Sequence, residues 1–374
     1  MKVLKYTILG LILLNIPTIV NEQISSVLSN LLSYFSFMLL VLYYILNKRT
    51  EKNVWMILIG TTFFLISSVS GQNYLPPTNV FLIYIIKFFI YIICGYELIK
   101  TITRNELYIF LLIGALTILL QILFFINPLV DYGRYSGFYL NPNNASFICL
   151  FGYGLTFAID NKRLRLIGQI VFTLMGLLTF SRTFVVIWLL INLISVKINF
   201  KNIKVFVYGF ALLTVFIISS EFLPYKNVRL QQLSSIMSGE SVKVSELNQG
   251  SRTGTWMLYF NDIAENPFFG NGFNAMSGNT VNHRVGVHNM YLKIFGEAGI
   301  IPISIFVLMY MYVLIGSWKL FKYSPYLFIL SIVLIVFLAT NHNFFDYGYL
   351  LFLSMWIQSE LERNKKEVEL LQYT

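Results

Sequence analysis

Residues 107–126 read LYIFLLIGALTILLQILFFI, a stretch without a single charged side chain. A helix needs about 20 predominantly apolar residues to cross the hydrocarbon core of a bilayer, so this run is long enough. It is apolar on every face, whereas a strand of a membrane barrel alternates apolar and polar residues over about 10 positions. Backbone groups in lipid must be satisfied within the segment, which leaves the helix. Working outward, similar runs occupy Val3 to Val20, Leu31 to Leu46, Val54 to Val69 and Ile300 to Ile315. The whole chain is 57% hydrophobic and 12% charged, against about 45–50% and about 25% in soluble domains. The fold class these numbers imply is an all-α polytopic membrane protein.

Spans are expected near 3–20, 24–46, 54–70, 80–99, 107–126, 144–159, 164–180, 183–196, 203–220, 297–316, 326–340 and 344–358, about twelve in all. With the N-terminus inside, alternate loops hold Lys2 and Lys5; Lys48, Arg49 and Lys52; Lys100 and Arg104; Lys162, Arg163 and Arg165; Lys197, Lys201 and Lys204; Lys319 and Lys322; and Arg363, Lys365 and Lys366. Basic residues collect on the cytoplasmic side of membrane proteins, so both termini are expected there. Lys2 and Lys5 resemble the start of a signal peptide, but no cleavage pattern follows and the first run reads as a retained anchor. The expected organisation is a membrane domain over 1–220, a large extracytoplasmic loop over 221–296 and a second membrane part over 297–374. The net charge of +10 is spread between spans and does not form a basic face, which argues against nucleic acid. Cys94 and Cys149 fall in or beside apolar runs, where no disulfide is expected. Lys87, within a span, reads as a snorkelling side chain.

The exceptions to the inside bias carry the chemistry. Arg134 precedes Asn141-Pro142-Asn143-Asn144; Ser181-Arg182-Thr183 opens a span; Ser251-Arg252-Thr253 opens a helix expected to about Glu265, with Trp256, Phe260 and Ile263 on one face and Pro267 beyond its end. A helix N-terminus favours an anion, and arginine adds a planar fork suited to two phosphate oxygens. Further on stand His283-Arg284 and His288-Asn289-Met290-Tyr291-Leu292. Neutral imidazole can accept a proton near pH 7, so His288 is the base candidate. Plainer readings exist for each: arginines anchor helices at headgroups, histidines in loops are often only solvated, and Asn141 to Asn144 makes a turn before a helix. His342, between Asn341 and Asn343, reads as part of a short polar turn.

The ordered set resembles the O-antigen polymerase and O-antigen ligase superfamily, the Wzy-like and WaaL-like proteins. The residues that carry the resemblance are Arg134 to Gly137, Asn141-Pro142-Asn143, Ser181-Arg182, Arg252 to Trp256, Pro267-Phe268-Phe269-Gly270-Asn271-Gly272, and His288 to Leu292 with Gly299. The resemblance implies a GT-C-like helical bundle that acts as a glycosyltransferase on a polyprenyl-diphosphate-linked donor, at the outer face of a bacterial cytoplasmic membrane. Residue chemistry and the resemblance together put forward His288, Arg252 and Arg182 as catalytic residues, with Arg134, Asn141, Asn143, Asn289 and Tyr291 binding substrate and Arg284, next to His283, joining them. Many sugar transferases hold a metal with Asp-x-Asp. No such pair occurs here, so arginines would stabilise the leaving diphosphate, with no metal or other cofactor expected. Expected partners are the lipid-linked oligosaccharide, the bilayer, and a flippase and chain-length regulator of the same pathway. The acceptor is another lipid-linked repeat unit for a polymerase, the favoured reading, or lipid A core for a ligase. A lipid-linked-sugar transporter is the reading from another class; it would place ionisable groups at mid-membrane and often shows related halves, and only Glu97 among the acids lies clearly inside a span.

Overall fold

The computed structural model describes residues 1–47, 51–70, 75–124, 134–220, 252–278 and 283–373. The first part of the expected loop, with Lys226, Arg229, Lys243 and the Ser251 cap, lies outside the described residues, as do Lys48 and Arg49. Among the described residues every regular element is a helix.

Four helices are long and apolar enough to cross a membrane: Ser26–Leu46, Thr78–Ile99, Arg104–Leu123 and Ile300–Lys319. A fifth candidate is a pair, Lys2–Leu13 and Ile16–Gln23, bent by 54°. The bend has a local cause. Asn15 sits in the left-handed region at φ 54, and Pro17, which has no N–H to donate, follows in the first turn of the second helix. The other expected spans also carry helices, at Val54–Ser70, Pro142–Leu155, Lys162–Leu178, Arg182–Ile198, Ile203–Ser220, Pro325–Leu338 and Gly348–Tyr373. Of the twelve expected crossings, four, or five with the bent pair, satisfy both length and apolarity among the described residues.

The chain divides into two compact units, one formed by 1–103 with 252–374 and one by 104–251. In the first, Thr78–Ile99 packs on Ser26–Leu46 and Gly348–Tyr373, while Val54–Ser70 packs on Ile300–Lys319 and Met290–Ala298. Its aromatic core stacks Phe63 on Phe345 at 4.4 Å and sets Phe81 and Phe273 edge to face at 5.0 Å. Quadrupolar rings favour offset and edge-to-face contacts of this kind, worth about 0.5–1.5 kcal/mol beyond area burial. The last helix runs well past the expected boundary at 358 because its polar residues are paired. Glu360 takes the Tyr326 hydroxyl at 2.8 Å and Arg363 at 2.9 Å, and Arg363 also donates to the Lys100 carbonyl at 2.8 Å. Glu97, the one clearly intraspan acid, pairs with Lys100 at 2.9 Å. Lys87 lies over the Tyr34 and Phe37 rings at 5.5 and 5.7 Å.

In the second unit Pro142–Leu155 is buried at nearly every position. Neighbouring helices come close through glycine: an added Cβ on Gly152 would stand 2.3 Å from the Phe172 ring, and one on Gly176 would stand 2.0 Å from Phe184. Small residues at such crossings let membrane helices associate by close packing, where the hydrophobic effect gives no drive. Cys94 and Cys149 are both buried free thiols.

Candidate active site

The segment carrying His288 is built on a small core of its own within the first unit. Tyr259, Ile263, Ala275, Met276 and Val287 form a buried cluster, with Trp256, Leu292 and Phe295 packed against it. The expected continuous helix to Glu265 is two short ones, Arg252–Leu258 and Phe260–Glu265. Phe260 does not join the buried face and is 70% exposed. Tyr259 takes that place because its hydroxyl reaches the Val285 carbonyl at 2.7 Å. The Tyr259 ring also packs on His283 at 4.5 Å, and His283 Nε2 lies 2.9 Å from the Asp262 carboxylate. The chain just ahead of His288 is thus held from one side by these helices. From the other side, the Met276 carbonyl accepts the Val287 N–H at 3.1 Å.

The Pro267 to Gly272 turn clasps the far end of the Met290–Ala298 helix. Asn271 N–H donates to the Gly296 carbonyl at 2.7 Å and Gly272 N–H to that of Glu297 at 3.0 Å. Asn271 Nδ2 adds a bond to the Asp262 carbonyl at 2.7 Å. Gly270 and Gly299 both have positive φ, and a Cβ on Gly299 would stand 2.0 Å from the Phe268 carbonyl oxygen. Phe273, next in the chain, reaches into the aromatic core and donates its N–H to the Ser67 carbonyl at 3.0 Å. Gly299 ends this helix, and the spanning helix starts at Ile300 instead of the expected 297.

His288 precedes the Met290–Ala298 helix with φ 47, an unusual conformation for a residue with a Cβ. The residue as a whole is exposed, yet one side of its ring packs edge to face on His342, with centroids 4.7 Å apart. Loss of water on that side lowers the imidazole pKa below its ordinary value, and the nearby Arg252 guanidinium lowers it further. Both effects favour the neutral form that can accept a proton.

The other motif residues divide between chemistry and support. Asn289 is buried and caps the helix, its Oδ1 accepting from the Tyr291 and Leu292 N–H groups at 3.0 and 3.2 Å. Tyr291 donates to the Ile335 carbonyl at 3.2 Å and packs on Phe306. These two hold the helix that carries His288. Arg284 is exposed on the same segment. Lys293, one turn on, is 5% exposed and lies 3.9 Å from Asp346, and Glu297 accepts the Met276 N–H at 3.2 Å.

The second unit draws three motif segments together. Arg134, buried, donates from Nε to the Thr179 carbonyl at 3.1 Å and from a terminal nitrogen to Asn143 Oδ1 at 3.3 Å. Ser181 donates to the same Asn143 oxygen at 3.1 Å and caps the Arg182–Ile198 helix. Asn141 caps the Pro142–Leu155 helix through Asn143 N–H at 2.8 Å. Arg134, Asn141 and Asn143 thus spend much of their bonding capacity on the protein. Arg182 is exposed at its helix start.

Sequence reasoning read His342 as part of a short polar turn and gave Lys293 and Asp346 no role at the site. Lys293 and Glu297, four residues apart on an apolar helix, were a readable signal of a buried charge pair. The nearness of His342 to His288 had none, since the two histidines lie on different elements.

Fold and site together define a multi-pass membrane protein, helical in its described residues, that presents an imidazole shifted toward its neutral form, under the influence of a guanidinium, on a firmly braced segment. Residues 167–307 match the family model Wzy_C, described as O-Antigen ligase, and this match supports the O-antigen polymerase and ligase superfamily. The matched stretch contains Arg182, Arg252, Arg284, His288, Asn289 and Tyr291, whereas Arg134, Asn141 and Asn143 precede it. The family covers polymerase-type and ligase-type enzymes. No curated protein matches the chain.

Proposed function

We propose that this chain is a polysaccharide polymerase: an inverting glycosyltransferase that moves glycan from a polyprenyl-diphosphate donor to the hydroxyl of a lipid-linked repeat unit. The observation that carries the reading is His288, exposed and shifted toward neutrality with Arg252 at hand, inside the stretch that matches the family. His288 takes the proton from the acceptor hydroxyl. The oxygen attacks the anomeric carbon from the face opposite the diphosphate, and the bond to the diphosphate breaks with its electron pair. Configuration inverts. Arg252 offsets the charge that grows on the departing diphosphate, where a preorganised cation lowers the barrier most. Arg182 is assigned to the donor diphosphate on the sequence resemblance alone, and Arg284, exposed on the His288 segment, to substrate binding. Arg134, Asn141 and Asn143 act by shaping the segment next to Arg182. In this reading both termini are cytoplasmic, the reaction takes place on the outer face of the cytoplasmic membrane, and a flippase supplies the donor.

Reconstitution with a polyprenyl-diphosphate oligosaccharide tests it. Wild type forms a product ladder; His288→Ala, folded, forms none. A normal ladder from that variant removes His288 from the reaction. The family match, described as O-Antigen ligase, is equally compatible with a second reading, a ligase that transfers glycan to lipid A core. Cells lacking the protein separate the two: single repeat units on core indicate a lost polymerase, and bare core indicates a lost ligase.

A further inference from the structure

We infer that His342 is a positioning residue for His288, its ring holding the base's imidazole in the orientation that points a nitrogen at the acceptor hydroxyl. This rests on the reading of His288 as the base. Three observations carry it. The two rings meet edge to face at 4.7 Å and 69°. The Nδ1 of His342 is buried and makes no hydrogen bond, which is uncommon for a buried polar atom and shows that packing, not a bond from that nitrogen, keeps the ring where it is. The backbone opposite leaves room for it: a Cβ on Gly286 would stand 2.8 Å from His342 Nε2, so any larger residue there would press on the imidazole.

A base on an exposed segment needs such a wall. The backbone of His288 is fixed by the Asn289 cap behind it and the Val287 bond ahead of it. Its side chain still has its own torsions, and misorientation of a reacting group is costly. His342 restricts them from the side away from solvent. The groups facing His342 are His288, the Lys293 ammonium paired with Asp346, and the backbone at Ser277 and Gly286. Burial, Lys293 and His288 push the His342 pKa down to about 3. It therefore stays uncharged wherever the enzyme works, and a ring without nitrogens is a fair replacement.

The test compares His288→Ala, His342→Phe and His342→Ala as folded full-length proteins in the lipid-linked oligosaccharide assay. His342→Phe is expected to keep kcat within about threefold of wild type, and His342→Ala to lose at least about tenfold in kcat with KM unchanged. Water admitted beside His288 in His342→Ala also moves the acid limb of the rate profile upward, toward the ordinary histidine pKa; in His342→Phe the limb stays in place. If His342→Ala does not accumulate in folded form, His342→Leu replaces it in the comparison. Full activity of the Ala or Leu variant, or equal loss in it and the Phe variant, overturns the positioning role while leaving His288 as the base. An active His288→Ala protein instead overturns the underlying reading.

Discussion

Replacing Gly299 by alanine should loosen the clasp beneath the site, and the size of the effect follows from geometry. Gly299 has φ 75 and ψ −162, a region that residues with a Cβ occupy at a cost of about 1–3 kcal/mol. The new Cβ would also stand 2.0 Å from the Phe268 carbonyl oxygen and 2.6 Å from Phe269 N, both backbone atoms that cannot swing aside. Relief requires the 267–272 turn to move off the helix end, which strains the bonds from Asn271 and Gly272 to the Gly296 and Glu297 carbonyls. Two such bonds contribute about 1–3 kcal/mol together, for a total near 2–6 kcal/mol. At roughly 2–4 °C per kcal/mol for a body of this size, the thermal midpoint in detergent should fall by roughly 10 °C. The control is Gly316→Ala, whose Cβ comes nearest to the movable end of the Leu361 side chain, at 2.9 Å, and should shift the midpoint by no more than about 2 °C. Equal midpoints for Gly299→Ala and wild type would refute the account of the clasp.

Arg252→Gln should move the acid limb of activity to higher pH. With His288 as the proposed base its neutral form is the active one, Arg252 helps to hold its pKa down, and removing that cation lets protonation begin at a less acidic pH; an unmoved limb, read from kcat/KM against pH, would exclude the coupling. Arg252→Lys keeps the charge, so the limb should stay while the rate falls by at least about tenfold through loss of the two-point grip; an undiminished rate counts against bidentate binding. Asn289→Ala should lower stability by about 0.5–2 kcal/mol through loss of the helix cap, with Asn289→Asp or Asn289→Ser recovering most of it, as thermal melts would reveal. Cys149, fully buried, should react with a maleimide only after unfolding, and labelling of the folded protein would contradict its placement.

The helices were legible because lipid demands long apolar runs, and runs such as 107–126 have no other physical use. Their interruptions were less so. The bend at Asn15 depends on a left-handed residue that composition does not mark, with Pro17 as its only trace. The candidate site was readable as an order of segments, with His288 and the arginines as the chemical groups. The division of labour within those segments was not. Asn289 stands just before an apolar run, the usual place of a cap, and could have been separated from the reacting residues on that ground. Tyr259 displaced Phe260 from the buried face because of a hydrogen bond to a carbonyl 26 residues on, and no local periodicity reports that. Phe273, His342 and Asp346 owe their roles to tertiary neighbours and carry no local mark.

The junction at Gly299 has a mechanical consequence. The helix that follows His288 is short and stiff, capped at one end, gripped at the other, and joined to the span at Ile300 without slack. A change in bilayer thickness or lateral tension that tilts that span is transmitted along a nine-residue rod to the imidazole. The rate of the proposed glycan transfer should thus respond to the elastic state of the surrounding lipid as well as to substrate supply.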